Sequence, residues 1–209
     1  MVTMNSLLLI LCSYGIGCCT CGYYLTRWRT GEDIRRLGSG GVGATNVGRT
    51  LGAAGFVVTF LFDFAKGAVV VAAVHQLQLS PPEATACVFA VVAGHIWPIQ
   101  LRFQGGKGIA TSLGAIFIYD FKIAIVLSCV FIPIYAISRR FVLSGMIAWA
   151  FCPLCMLVLG FARVELVTIT ILSILVLLAH RRNIVEEITR FRQSRLKEIE
   201  RNATVNEKG

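Results

Sequence analysis

Residues 35–50 read RRLGSGGVGATNVGRT, with five glycines, two threonines, a serine and an asparagine among arginines. Gly38, Gly40 and Gly43 spell G-x-G-x-x-G, the dinucleotide fingerprint. That motif works after a buried strand and before a helix, with an acidic residue about 20 positions on, in a soluble β-α-β unit. Both flanks here are long apolar segments, and the acidic residue at about that distance, Asp63, lies inside one of them. A Walker A loop fails as well, because Gly106-Lys107 is followed by Gly108 rather than Ser or Thr. What survives is the physics beneath both motifs. Small residues let successive backbone N–H groups turn toward an anion, and a helix that starts directly after them favours negative charge.

The rest of the chain says what kind of protein carries this loop. Of 209 residues, 56% are hydrophobic and 15% charged, and mean hydropathy is +0.73. A soluble domain is about a quarter charged. Apolar stretches long enough to cross a bilayer, about 20 residues each, recur along the chain. The composition predicts an all-α polytopic integral membrane protein: one transmembrane domain over residues 1–183 and a cytoplasmic, amphipathic and partly disordered tail over 184–209. No room is left for a separate soluble catalytic domain, so chemistry falls to loops and helix ends.

Expected spans are 5–25, 51–75, 83–101, 109–119, 123–138, 142–160 and 164–180. The stretch 109–137 is either one interrupted helix or two short ones turning at Tyr119-Asp120-Phe121-Lys122. Charge decides. With seven spans and the N-terminus outside, 17 of the 20 Lys and Arg residues lie on the cytoplasmic side, and only Lys122 and Arg163 face out. Merging the pair would put Arg139, Arg140 and the basic tail outside, against the positive-inside rule. The 11-residue fourth span must then be short, tilted or sunk from the cytoplasmic side.

The net charge of +9 would suggest nucleic acid on a soluble protein. Here topology accounts for it, with attraction of anionic lipid or a phosphorylated substrate as a second source. No nucleic-acid partner is expected. The eight cysteines all fall in apolar runs and read as small hydrophobes. Cys152 and Cys155 form a C-x-x-C, but mid-span and without a second pair or nearby His, so neither metal nor cofactor is expected. The N-terminus has no basic residue before Arg27, which argues against a signal peptide and for a retained span.

With this topology the unusual polar segments share one face. They are the first loop; His95 to Pro98 with Gly105-Gly106-Lys107-Gly108 and Thr111; Arg139 to Ser144; and His180 to Asn183. Ser39 and Thr45 add hydroxyls, Arg49 a guanidinium fork and Lys107 a point charge. Asp63 and Lys66, three apart, share a helix face, and pairing lowers the cost of a mid-membrane charge, about 3 kcal/mol on insertion scales. A transporter would place its binding groups near the midplane, commonly on repeats; here they lie at one face and no repeat is visible. A purely structural subunit would not need the glycine loops.

Gly38 to Arg49, GSGGVGATNVGR, resembles the G-S-G-N-x-G-A-T-N-x-x-R pattern of the acyl-phosphate-dependent glycerol-3-phosphate acyltransferases of bacterial membranes, the PlsY family. His95, Pro98 and Gly105 to Thr111 resemble its H-x-x-P and G-G-K-G-x-A-T. Asp63, Lys66 and Gly67 are similar to D-x-x-K-G, and His180, Arg181, Asn183 and Ile184 to H-R-x-N-I. Ser144 matches the serine after the third loop. The chain departs from the pattern at Gly41, where the family has asparagine, and in the tail, where Glu186, Arg190 and Arg192 stand.

The resemblance implies acyl transfer from acyl phosphate to the sn-1 hydroxyl of glycerol 3-phosphate at the cytoplasmic face of the bacterial inner membrane. The products are lysophosphatidic acid and inorganic phosphate. It also implies a functional link to the soluble enzyme that makes acyl phosphate. An acyl phosphate is already activated, so no nucleophilic Ser or Cys is required. Expected roles follow. Ser39, Arg49 and Lys107 hold phosphate, with the Gly38–Gly43 backbone as an anion nest. Gly105, Gly106, Gly108, Thr111 and Ser144 complete the binding surface. His180 and Asn183 orient the glycerol hydroxyls. Asn46 and Thr45 shape the loop and donate to developing charge. His95 is either a general base or a structural hydrogen-bond partner. Asp63 and Lys66 support the site.

Overall fold

The computed structural model describes residues 4–181, 184, 185 and 189. It is all-helical through Ala179: α1 (Met4–Cys18), α2 (Cys21–Thr30), α3 (Ala44–Gln76), α4 (Pro81–Ile96), α5 (Ile109–Tyr119), α6 (Phe121–Ser138), α7 (Phe141–Val158) and α8 (Arg163–Ala179). Short 3-10 turns at Ile34–Arg36 and Ile99–Leu101 lie in the first two loops. The chain divides into two units, Met1–Ala179 and His180–Gly209. The expected amphipathic tail helix lies almost wholly outside the described residues.

The ambiguous stretch 109–137 resolves into two helices. Asp120 is extended (φ −155°, ψ 110°) and its side chain accepts from the Lys122 N–H at 2.9 Å, capping α6 as α5 ends. The first expected span, 5–25, is not one helix. It stops at Cys18 and restarts at Cys21, leaving the carbonyls at the end of α1 to find partners. Within α3, Gly52 takes φ 77°, ψ −171°, a conformation essentially confined to glycine. The chain doubles back there, and Phe56 comes over Gly48 while Val47 and Leu51 come against Gly55.

Among the described residues, five helical segments are long and apolar enough to cross a membrane, the first being the broken segment Ser6–Thr30. The apolar helices α5 and α8, with 11 and 17 residues, are shorter. Val71, Val91, Ala115, Trp149, Cys152, Met156 and Val176 form the buried core, while Leu8, Leu61, Val69, Ile132, Leu157 and Leu178 point outward. An outer surface this apolar belongs against lipid.

In lipid, helices gain little by hiding apolar side chains from one another, so close backbone approach matters more. Two glycine pairs provide it. A Cβ on Gly17 would overlap the Val91 carbonyl and one on Gly94 the Tyr14 carbonyl, so α1 and α4 touch backbone to backbone. Gly67 against the Thr111 carbonyl and Gly114 against the Phe64 carbonyl do the same for α3 and α5. Gly67→Ala should therefore destabilise the protein by about 1–3 kcal/mol, as overpacking does. Gly15→Ala on α1, where a Cβ meets nothing within 4 Å, should leave the unfolding midpoint in detergent unchanged or raised. Equal midpoints for the two variants would contradict the contact.

Candidate active site

The first loop is organised by one amide. Asn46, buried in the first turn of α3, accepts from the Ser39 N–H through Oδ1 at 2.9 Å. Its Nδ2 donates to the carbonyls of Leu37 (2.9 Å), Gly41 (2.9 Å) and Ile34 (3.3 Å). Gly38 (φ 55°) lies so close to Asn46 Oδ1 that a side chain there would collide with it. Gly38 and Gly40 (φ 71°) supply the left-handed turns that bend the loop around this amide. This corrects the expectation that Asn46 donates to developing charge, because both its N–H groups are spent inside the loop. Ser39, Thr45 and Arg49 remain exposed on it. Gly43 is the N-cap of α3, and no side chain caps that helix start.

The two glycine loops are tied to each other. Arg35 Nη1 donates to the Leu101 carbonyl of the second loop at 2.9 Å. Its Nε and Nη2 grip Asp33 at 3.0 and 2.6 Å, and its guanidinium stacks 5.3 Å over Tyr23. The guanidinium hydrogen bonds hold the Asp33 carboxyl below the usual carboxylate range. The Arg35–Asp33 pair is therefore complete at neutral pH and is lost only as pH falls through that lowered value. Ile34, Val42, Val47 and Leu101 form a small buried cluster beneath it. Asp33-x-Arg35 had no place among the residues expected at the site, because nothing in its spacing points to a partner 66 positions away.

The second loop folds onto the end of α4. Gly105 and Gly106 N–H groups donate to the carbonyls of Ile96 (3.0 Å) and His95 (2.9 Å). A side chain on Gly105 would strike His95 O and Pro98, and one on Gly106 would strike the His95 ring. Gly108 (φ 82°) is the N-cap of α5, again without a side-chain cap. Lys107 between them is half-buried. Thr111, in the first turn of α5, is fully buried with its hydroxyl unpartnered. Behind the loop lies a buried ionic group. Lys66 Nζ meets Asp63 Oδ1 at 3.0 Å and His95 Nδ1 at 2.7 Å, and donates to the carbonyls of Gly17 and Cys19, both at 3.0 Å.

The structure thus brings the first and second polar segments together with Asp63, Lys66 and His95. Ser144 is buried in the first turn of α7, its hydroxyl donating to the Arg140 carbonyl (2.9 Å) and meeting Ser138 Oγ (3.0 Å), which braces the α6–α7 turn. His180 begins the second unit, and Asn183 lies outside the described residues.

Gly41 is the position where the first loop departs from the acyltransferase pattern. A Cβ there meets nothing within 4 Å, and the residue's contribution to the loop is its carbonyl. Gly41→Asn should therefore change stability by no more than about 0.5 kcal/mol. Asn46→Ala strips partners from the loop carbonyls, at about 1–3 kcal/mol for each one left buried and unmet. Limited proteolysis should cut that variant within residues 36–43 while sparing Gly41→Asn.

Comparison with known proteins identifies the family. A family model described as glycerol-3-phosphate acyltransferase matches residues 7–190. Glycerol-3-phosphate acyltransferase 1 of Desulfitobacterium hafniense is 42% identical over 193 residues, covering 92% of this chain and 95% of that protein. The Bacillus cereus protein of the same name is 37% identical, covering 87% and 100%. The crystal structure of PlsY, an integral membrane glycerol 3-phosphate acyltransferase, in its glycerol 3-phosphate form, superposes with a TM-score of 0.81. It is 32% identical, with 88% of this chain and 92% of that one covered. Its lysophosphatidic acid form superposes with a TM-score of 0.78. A membrane bundle with two tied glycine loops, matched over residues 7–190 in sequence and over 88% of its length in fold, belongs to the PlsY family of glycerol-3-phosphate acyltransferases.

Proposed function

We propose that the protein moves a fatty acyl group from acyl phosphate to the sn-1 hydroxyl of glycerol 3-phosphate, the first acylation of phospholipid synthesis. The hydroxyl oxygen bonds to the acyl carbon, the bond from that carbon to the phosphate oxygen breaks, and inorganic phosphate departs with lysophosphatidic acid. The observation that carries this reading is the pair of tied glycine loops. They present Ser39, Thr45, Arg49 and Lys107 beside two helix starts that no side chain caps. Such a surface suits two phosphate-bearing substrates.

The donor is already activated, so the protein's work is to position the hydroxyl, neutralise phosphate charge and stabilise the oxyanion. Ser39, Arg49 and Lys107 hold phosphate. An apolar recess of about 670 Å³ beside the α1–α2 break, lined by Gly15, Cys18, Leu25 and Phe62 among others, is large enough for an acyl chain. The assignment goes with seven crossings of the bacterial inner membrane, the N-terminus outside and the site facing the cytoplasm. There it meets glycerol 3-phosphate, with a functional link to the soluble enzyme that makes acyl phosphate.

Purified in detergent, the protein should make lysophosphatidic acid from acyl phosphate and none from acyl-CoA or acyl carrier protein. Failure with acyl phosphate would sink the donor assignment. Arg49→Ala and Lys107→Ala should each lower kcat/KM by about 10–100-fold, the worth of a hydrogen bond to a charged group, with unfolding midpoints unchanged. Near-normal rates in both would remove these residues from the phosphate site.

A further inference from the structure

The buried group behind the second loop bears on the part His95 plays. Lys66 Nζ lies where three helices meet: on α3 beside Asp63, at the open end of α1, and against the last turn of α4. An ammonium has three N–H donors and no acceptor, and these go to the Gly17 and Cys19 carbonyls and to His95 Nδ1, with Asp63 Oδ1 held as an ion pair. Its 2.7 Å approach to His95 Nδ1 therefore requires a lone pair on that nitrogen. The imidazole is then neutral and carries its single proton on Nε2. Asp63 Oδ1, 3.4 Å from Nδ1, competes for the opposite arrangement, in which Nδ1 is the donor. The ammonium lies closer to both groups than they lie to each other, and it prevails.

The other edge of the ring is fixed as well. Nε2 faces Gly106 so closely that any side chain there would overlap it, and the Gly106 N–H is held by the His95 carbonyl at 2.9 Å. Both the ring and the backbone of His95 thus bear on the loop that carries Lys107.

We propose that Lys66 is a positioning residue that locks His95 as the Nε2–H tautomer, so that His95 presents a donor, and no proton acceptor, toward the Gly105–Gly108 loop. A general base needs an open lone pair. Nδ1 has spent its lone pair on Lys66, and Nε2 has none while it holds the proton. His95 therefore sets the loop, and the proton of the attacking hydroxyl goes elsewhere. The part of this that concerns turnover rests on the acyl-transfer reading above; the tautomer does not.

The chain has only three histidines, so 15N-histidine labelling of the full-length protein in detergent gives a spectrum that His95→Gln can assign. Two-bond couplings to the ring protons separate Nδ1 from Nε2. The expected result is a pyridine-type Nδ1 and a pyrrole-type Nε2 for His95. A protonated Nδ1, in the other tautomer or in the imidazolium, overturns the proposal even if Lys66→Met does not fold. Lys66→Met removes the donor, so Nδ1 should become pyrrole-type and donate to Asp63. Displacement of the loop should then lower kcat/KM for glycerol 3-phosphate by about 100-fold, the scale of an ångström-sized misplacement. A His95 spectrum unchanged in Lys66→Met refutes the lock, and a switched tautomer with normal kinetics refutes the positioning role. Wild-type protein that lacks the transfer activity but shows the expected spectrum would remove the acyl-transfer reading and leave the lock standing.

Discussion

One buried ammonium holds the centre of the fold. Lys66 joins α1, α3 and α4 through two carbonyls, a carboxylate and an imidazole, with every contact at 3.0 Å or less. Glycines stand next to it on all three helices. Gly67 brings α5 against its own helix, and Gly17 and Gly94 bring α1 against α4. A larger residue at any of the three would push the partners apart. The ammonium also repairs the break after α1, where carbonyls that would otherwise face the apolar interior accept its protons. Removing one member of such a group leaves the others charged and buried, at about 3–5 kcal/mol.

The same economy shapes the loops. α5 begins beside Gly67, well along α3, because Thr111 in its first turn touches that glycine. Were α3 straight, its own start at Ala44 would lie about 35 Å from Gly67 at 1.5 Å per residue. The reversal at Gly52 folds Ala44–Leu51 back along the helix and returns the first loop toward the second. Arg35 then joins the two. The described residues thus bring the two polar loops together by starting α5 beside the middle of α3 and doubling back the start of α3 itself.

Much of this could be read from the sequence. Hydropathy and the positions of arginines marked a helical membrane bundle and a turn at Asp120, because those signals are local and depend on composition. The glycine loops were legible as tight polar turns, since their chemistry lies in consecutive residues. Pairings across the fold were not. That Lys66 reaches His95 has no signature in the spacing, because the two stand 29 positions apart on different helices. Asn46 read as a donor for the reaction because an amide's chemistry is visible and its partners are not. The break after Cys18 was hidden by cysteines and threonine that continue an apolar run without interruption.

The division of charge is the remaining consequence. Inside the bundle, Lys66 and Asp63 are oppositely charged and His95 is held neutral by the proposed lock, so the ionic group adds no net field to the site. The cations that face the loops, Arg49 and Lys107, stand at helix starts whose backbone dipoles have the same positive sense. Burying either among apolar residues would demand a carboxylate partner, which would cancel its pull on a phosphate. Much of the glycine backbone is already engaged inside the loops: the Gly40, Gly105 and Gly106 N–H groups donate to the carbonyls of Leu37, Ile96 and His95. What glycine supplies is the close turn that leaves Arg49 exposed and Lys107 half-buried rather than sunk among apolar side chains.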